Sequence, residues 1–231
     1  MVIKGAVFDF GGVIMSYGAI KDLFIDLAHQ LGVEPKVFFE KRKEVWDLFA
    51  EDKRLMCGQI SAEEFEEGDF LKAINTVFGK NHTEPLRWLG KLTAPGFIQY
   101  NEIMLTFIKT LRENGVKTGL LTNNFFIDKE RKLESTPVDR ALFDAVVESR
   151  LEGIEKPDQK IYELCHSRVV AAAPEIERSE VIFFDDMETN CEAANEFGWR
   201  AIHVGKDPKE AILQAIELIR HENDLHLEIE T

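Results

Sequence analysis

The rhythm of apolar and polar positions changes twice along the chain, and each change marks a boundary. Residues 4–16 read KGAVFDFGGVIMS, with Ala6, Val7, Phe8 and Phe10 surrounding one acid, Asp9. A short run rich in β-formers and stopped by paired glycines predicts a buried parallel strand. Gly11-Gly12 lets the backbone leave sharply, which puts Asp9 at the carboxyl end of that strand. In open α/β sheets ligands bind along that edge. A carboxylate in such a run is costly to bury unless it works or binds a metal.

Over residues 17–97 the spacing turns helical throughout. Ile20, Leu23, Phe24, Leu27 and Leu31 fall on one helical face, and Gly32 follows as a stop. Pro35 opens a second helix carrying Val37, Phe38, Val45, Trp46 and Phe49, broken at Cys57-Gly58. Ser61 followed by Glu64 forms a capping box for a third, with Phe65, Phe70 and Ile74. No strand signal interrupts this block. From residue 98 strands and helices alternate. Ile103, Leu105, Phe107, Ile108 and Leu111 predict a helix ending near Asn114-Gly115, and residues 116–122 (VKTGLLT) a strand. The turn Asn123-Asn124 follows, then a helix containing the charged run DKERKLE as a solvated face. Residues 143–149 and 180–184 read as strands, the latter ending in Asp185-Asp186. Pro157 is placed at the first position of a helix between them. A helix over 189–197 stopping at Gly198, a strand over 200–204 and a helix over 208–221 complete the pattern, and the acidic tail is expected to fray.

This alternation predicts right-handed βαβ units and a parallel sheet covered on both faces. The expected fold is α/β, with a Rossmann-like parallel-sheet core of residues 1–16 and 98–231. A helical domain of residues 17–97 is inserted directly after the first strand, where it can cap the ligand edge.

Composition narrows the function. The apolar fraction of 45% supports a sizeable core. A net charge of −14 argues against nucleic acid and anionic membrane as partners, but leaves room for a small phosphorylated substrate. Cys57, Cys165 and Cys191 form neither a disulfide framework nor a metal-ligand spacing, and suit a reducing compartment. The first strand begins almost at once, without a signal-peptide layout, and no apolar run is long enough for a bilayer. A cytoplasmic protein is expected. Oligomeric state stays open; an exposed apolar face on the insert would point to a homodimer.

Four groups stand at strand ends or helix starts: Asp9, Thr122-Asn123, Lys156 and Asp185-Asp186. Strands laid side by side would bring them to one edge, and their types suit phosphoryl transfer. A carboxylate can attack phosphorus and form an aspartyl-phosphate. The Thr122 hydroxyl and a backbone or side-chain amide at Asn123 can donate to phosphate oxygens. Lys156 supplies a compact positive charge. The acid pair with Asp9 makes an oxygen-rich site suited to Mg²⁺. Singly, each group has a plainer reading: a helix N-terminal acid pair, a surface lysine, an ordinary turn.

Taken together, the motifs FDFGGV, LLTNN, Lys156-Pro157-Asp158 and FFDD, in this order, resemble those of the haloacid dehalogenase superfamily. The resemblance covers essentially the whole chain. The insert looks like that family's C1-type cap. Among subgroups the chain is most similar to the phosphatase domain of soluble epoxide hydrolases and to acyl-CoA-dehydrogenase-fused relatives. The resemblance implies Asp9 as nucleophile and metal ligand, and Thr122 and Asn123 holding the phosphoryl group. It implies Lys156 neutralising that group, Asp186 binding Mg²⁺ directly, Asp185 binding it through water, and Asn190 supporting the acid pair. Where most of these phosphatases carry a second Asp as general acid, this chain has Gly11, whose carbonyl can still ligate the metal. General acid–base assistance is typically worth about 10²–10⁴ in rate. The expectations are therefore a phosphatase that is slow, favours a good leaving group such as an acyl or sugar-1-phosphate, or uses another donor; a catalytically impaired binding domain; or, third, a metal-free 2-haloacid dehalogenase. The paired acids tell against the last.

Overall fold

The computed structural model describes residues 2–223 apart from 19, 95, 138 and 174. The expected fraying tail lies outside them from residue 224 onward. In chain order come β1 (Gly5–Phe8), β2 (Met15–Tyr17), α1 (Ile20–Leu31), α2 (Pro35–Asp47), α3 (Ala62–Phe65) and, beyond a π-helical segment (Glu66–Phe70), α4 (Leu71–Phe78). Then follow β3 (Ile98–Tyr100), α5 (Glu102–Glu113), β4 (Lys117–Thr122), β5 (Ala145–Glu148), α6 (Ser149–Glu152), α7 (Gln159–Ala172), β6 (Val181–Asp185), α8 (Glu188–Phe197), β7 (Arg200–His203) and α9 (Pro208–Asn223).

The chain forms two compact units. One comprises Met1–Ser16, Gln99–Asn123 and Val138–Thr231, and the other Tyr17–Ile98 and Asn124–Pro137. The first unit is built on a five-stranded sheet of order β5-β4-β1-β6-β7, parallel at each described pairing. The apolar run that opens the sequence is thus its central strand, with both faces covered. Alternation along β1 sends Val7 into a cluster with Ile161, Tyr162, Val169, Phe183 and Phe197, on the face of α7 and α8. Phe8 faces the other way. It stacks on Phe184 at 4.7 Å between ring centroids, and both meet the edge of Phe107 from α5.

The second unit is helical, with its own core of Leu27, Phe38, Val45, Phe65, Phe70, Ile74 and Trp88. The capping box forms as the pattern predicts. Ser61 Oγ accepts from the Glu64 amide and Glu64 Oε2 from the Ser61 amide. Residues 124–137, which the sequence pattern leaves in the core, pack here instead. Phe125 joins the cluster, with Ile127 against it, and the Ala62 and Glu63 amides donate to the Phe126 and Ile127 carbonyls.

The helix expected over DKERKLE is absent. Asp128 Oδ1 accepts from the amides of Lys132 and Leu133, Arg131 takes a positive φ of 57°, and Phe126 bridges back to Glu134. A side chain that satisfies nearby amides in a turn competes with the helix. Two further differences come from short elements. The segment after β1 turns back on itself, with the Met15 amide donating to the Phe10 carbonyl, before β2 pairs with β3. Pro157 precedes the helix rather than opening it, because Asp158 is the N-cap and accepts from the Lys160 amide.

Candidate active site

Strand register brings the separated motifs together at the carboxyl edge of the sheet. Phe8 lies level with Phe184 and Leu120, and the Asp9 amide continues the ladder by donating to the Phe184 carbonyl at 2.8 Å. Asp9 therefore comes level with Asp185, and Thr122 ends the neighbouring strand. The carboxylates of Asp9, Asp185 and Asp186 offer oxygens that all lie within 4.8 Å of one another. Three carboxylates in so small a space can hold a metal ion, and an oxygen-only donor set is that of a hard cation. The chain bends close by at Gly12, whose φ is +74°, and a Cβ there would sit 2.3 Å from Asp186 Oδ2. That missing side chain leaves the space around the Asp186 carboxylate open.

Lys156 is buried among the acids. Its Nζ lies 2.9 Å from Asp9 Oδ1 and 2.6 Å from Asp185 Oδ2, with the face of Phe183 at 5.5 Å from the ring centroid. Asp185 is engaged on its other oxygen too, where Oδ1 accepts from the Met187 amide at 2.9 Å and Asn190 Nδ2 at 3.0 Å. Asn190 is held in turn by its carbonyl, which accepts from Tyr162 Oη at 3.0 Å. Asp186 is exposed, and its carbonyl meets His203 Nε2 at 2.9 Å. The Thr122 hydroxyl is buried and donates to the Asn123 carbonyl at 3.5 Å. Gly11 lies on the turn beside these acids, where an added Cβ would meet nothing within 4 Å.

These contacts set the protonation states. Burial pushes the Asp9 carboxyl up to about 6, with Asp185 adding to the rise and Lys156 opposing it. Burial works against the charged form of Lys156, but attraction to Asp9 and Asp185 overcomes it and its pKa is raised. Asp186 is also raised, through partial desolvation of its carboxyl beside the buried acids and through the charge of Asp185.

Sequence reasoning brought Asp9, Gly11, Thr122, Asn123, Lys156, Asp185, Asp186 and Asn190 into view. All lie in the sheet unit, Thr122 and Asp185 as the last residues of β4 and β6 and Asn190 on α8. It missed the Phe183 ring under Lys156 and the Met187 amide on Asp185, for which residue type carries no signal. It also left open which amide of Asn123 faces a ligand. The side chain is engaged elsewhere: Nδ2 donates to the Lys156 carbonyl at 3.0 Å, and Oδ1 accepts from the Lys156 amide at 2.9 Å.

Residues 3–198 match the family model described as haloacid dehalogenase-like hydrolase. The chain belongs to this family. Within it, the chain is 32% identical to the mouse protein Acyl-CoA dehydrogenase family member 10, over 72% of this chain but only 15% of that one. It is 26% identical to the sesquiterpene phosphatase astK of Aspergillus oryzae, over 87% of this chain and 89% of its relative. A HAD family enzyme of Bacteroides thetaiotaomicron, solved in complex with magnesium and inorganic phosphate, shares the fold with a TM-score of 0.57 at 22% identity, covering 89% of this chain and 96% of that one. As a haloacid dehalogenase-like hydrolase, the chain carries the parallel core, the helical insert and a carboxylate cluster at the sheet edge. Among the described residues, no helix is long and apolar enough to cross a membrane.

Proposed function

We propose that this chain is a Mg²⁺-dependent phosphatase that works through an aspartyl-phosphate on Asp9. The observation that carries the reading is the convergence of Asp9, Lys156, Asp185 and Asp186 at one edge of the sheet, where the strand carrying Thr122 also ends. Asp9, Asp186 and the Gly11 carbonyl would hold Mg²⁺ directly. Asp185, whose oxygens serve Lys156, Met187 and Asn190, would act through water. Bound there, the ion would screen the attacking carboxylate from the phosphate and keep it ionised.

The residues of the chain do the rest. Asp9 attacks phosphorus, the leaving oxygen departs with the bond electrons, and water then releases phosphate from the acyl-phosphate. Lys156 neutralises the phosphoryl oxygens, and the Thr122 hydroxyl and the Asn123 backbone N–H donate to them. Asn190 keeps Asp185, and through it Lys156, in place. Nothing at Gly11 protonates the leaving group, so the substrate is a small metabolite whose leaving group departs without help, such as an acyl phosphate. The curated phosphatase among the relatives and the magnesium- and phosphate-bound neighbour support the reading. The acidic balance supports a small-molecule partner, and the three buried cysteines, none in a disulfide, support a cytoplasmic setting.

The test is phosphate release from acetyl phosphate by the purified chain. Turnover is expected with Mg²⁺, is expected to disappear with chelator, and to fall at least about a thousandfold in Asp9→Asn. Undiminished turnover in chelator would overturn the reading. A second reading, a phosphate-binding domain without turnover, is favoured only by Gly11. It predicts that Mg²⁺ with beryllium fluoride stabilises the protein although no phosphate is released.

A further inference from the structure

The sheet ladder between β4 and β5 ends at Thr122 and Glu148. One residue further on, the Asn123 side chain bonds a segment of chain beyond β5. Its carboxamide forms a two-bond ring with the backbone of Lys156, Nδ2 to the carbonyl at 3.0 Å and Oδ1 from the amide at 2.9 Å. The stretch 153–158 has neither helix nor strand, and β5 ended several residues earlier. Downstream, Asp158 caps the next helix, and Gln159 Nε2 ties it to the Ala193 carbonyl at 2.8 Å. Upstream of that cap, the Asn123 ring fixes where the Lys156 backbone sits. From there the side chain must reach Asp9 and Asp185 at once, at 2.9 and 2.6 Å. A flexible four-carbon stem holds such a geometry only when its root is fixed.

We propose that the Asn123 side chain is a positioning residue for Lys156, and that residue 123 meets the substrate through its backbone N–H alone. The catalytic part of this inference rests on the phosphatase reading above; the structural part does not. Asn123 has no other bonding geometry available that serves both purposes. Its one oxygen and one of its two amide hydrogens point at Lys156, and turning either toward a phosphoryl group would release the loop.

Two measurements on the full chain separate these roles. The first is lysine acetylation by acetic anhydride, read by mass spectrometry. Lys156 has a 1% exposed side chain and is expected to react far more slowly than Lys36, which is 86% exposed. In Asn123→Ala the Lys156 rate relative to Lys36 is expected to rise about tenfold, the scale of two lost hydrogen bonds. The buried thiols of Cys165 and Cys191 should stay as protected as in the wild type, which a general loosening of the fold would not allow. The second is steady-state kinetics with acetyl phosphate and Mg²⁺, where kcat is expected to fall at least about tenfold with KM within about twofold. Asn123→Asp keeps an acceptor for the Lys156 amide but loses the donor, and is expected to lie between wild type and Asn123→Ala in both readouts. It also decides the matter should Asn123→Ala fail to fold. Unchanged Lys156 labelling in a folded variant, or a raised KM with kcat preserved, would overturn the proposal. If the wild type releases no phosphate, the phosphatase reading falls by itself, and the labelling ratio still judges the role of Asn123.

Discussion

Gly11 and Gly12 are neighbours with opposite tolerances. At Gly12 a side chain would collide with the Asp186 carboxylate, in a backbone conformation that favours glycine. At Gly11 the space is open and the φ is an ordinary one. Gly11→Asp should therefore be accommodated and place a carboxyl group beside the reacting centre. Turnover of an alkyl phosphate, whose leaving group needs a proton, is expected to rise by about 10²–10⁴. Turnover of acetyl phosphate should change little. The ratio of the two rates in wild type and variant checks this, and an unchanged ratio would mean that leaving-group protonation is not what the wild type lacks. At this scale the acids were legible, because a carboxylate ending an apolar strand has few purely structural uses. The bonding of Asn123 was not, because its partner lies 33 residues away and turn chemistry explains an Asn-Asn pair equally well.

Elements were legible where local bonding and long-range packing agree. The capping box at Ser61 is a local device and formed as written. The DKERKLE run has a helical composition, but the Asp128 carboxylate closes a turn, and Arg131 fastens that turn onto the Gly58 and Gln59 carbonyls at 3.5 and 2.9 Å. Composition alone does not reveal which of these competing arrangements wins. A second case is Glu66, in the π-helical segment. It is 2% exposed, and its Oε1 accepts from the Trp88 and Leu89 amides, each at 2.7 Å. Helical periodicity gives no hint of a buried acid here, since its partners belong to a distant loop. Glu66→Ala strands both buried amides and should destabilise the helical unit by about 3 kcal/mol. Urea unfolding followed by the fluorescence of Trp46 and Trp88 measures this. A loss below about 1 kcal/mol would show that other acceptors replace the carboxylate.

Across the whole molecule, stability carries a pH dependence to which His166 contributes. His166 Nδ1 accepts from Trp199 Nε1 at 3.4 Å, and burial, with Arg178 nearby, lowers its pKa below the ordinary 6.5. Between that lowered value and 6.5 the unfolded chain holds more protons than the folded one. Stability therefore rises with pH through this window and is lost as pH falls below 6.5. His166→Gln keeps an acceptor for Trp199 and should remove this contribution, so that the urea midpoint falls less steeply than in the wild type as pH drops below 6.5. An equally steep slope in the variant would assign the dependence elsewhere. The parallel sheet was legible at this scale from alternation, whereas the strand order was not, because no local pattern says which strands become neighbours. That order has a bearing on synthesis at the ribosome. Gly5 pairs with both Lys117 and Val181, so β1 closes one side of its ladder only when β6, far downstream of it, has emerged. The helical unit, complete once Pro137 has emerged, can condense while that side of the strand is still unmatched. The nascent chain thus keeps one edge of an apolar strand unpaired from the emergence of β1 until that of β6, and chaperone engagement at residues 5–10 over that interval is the expected consequence.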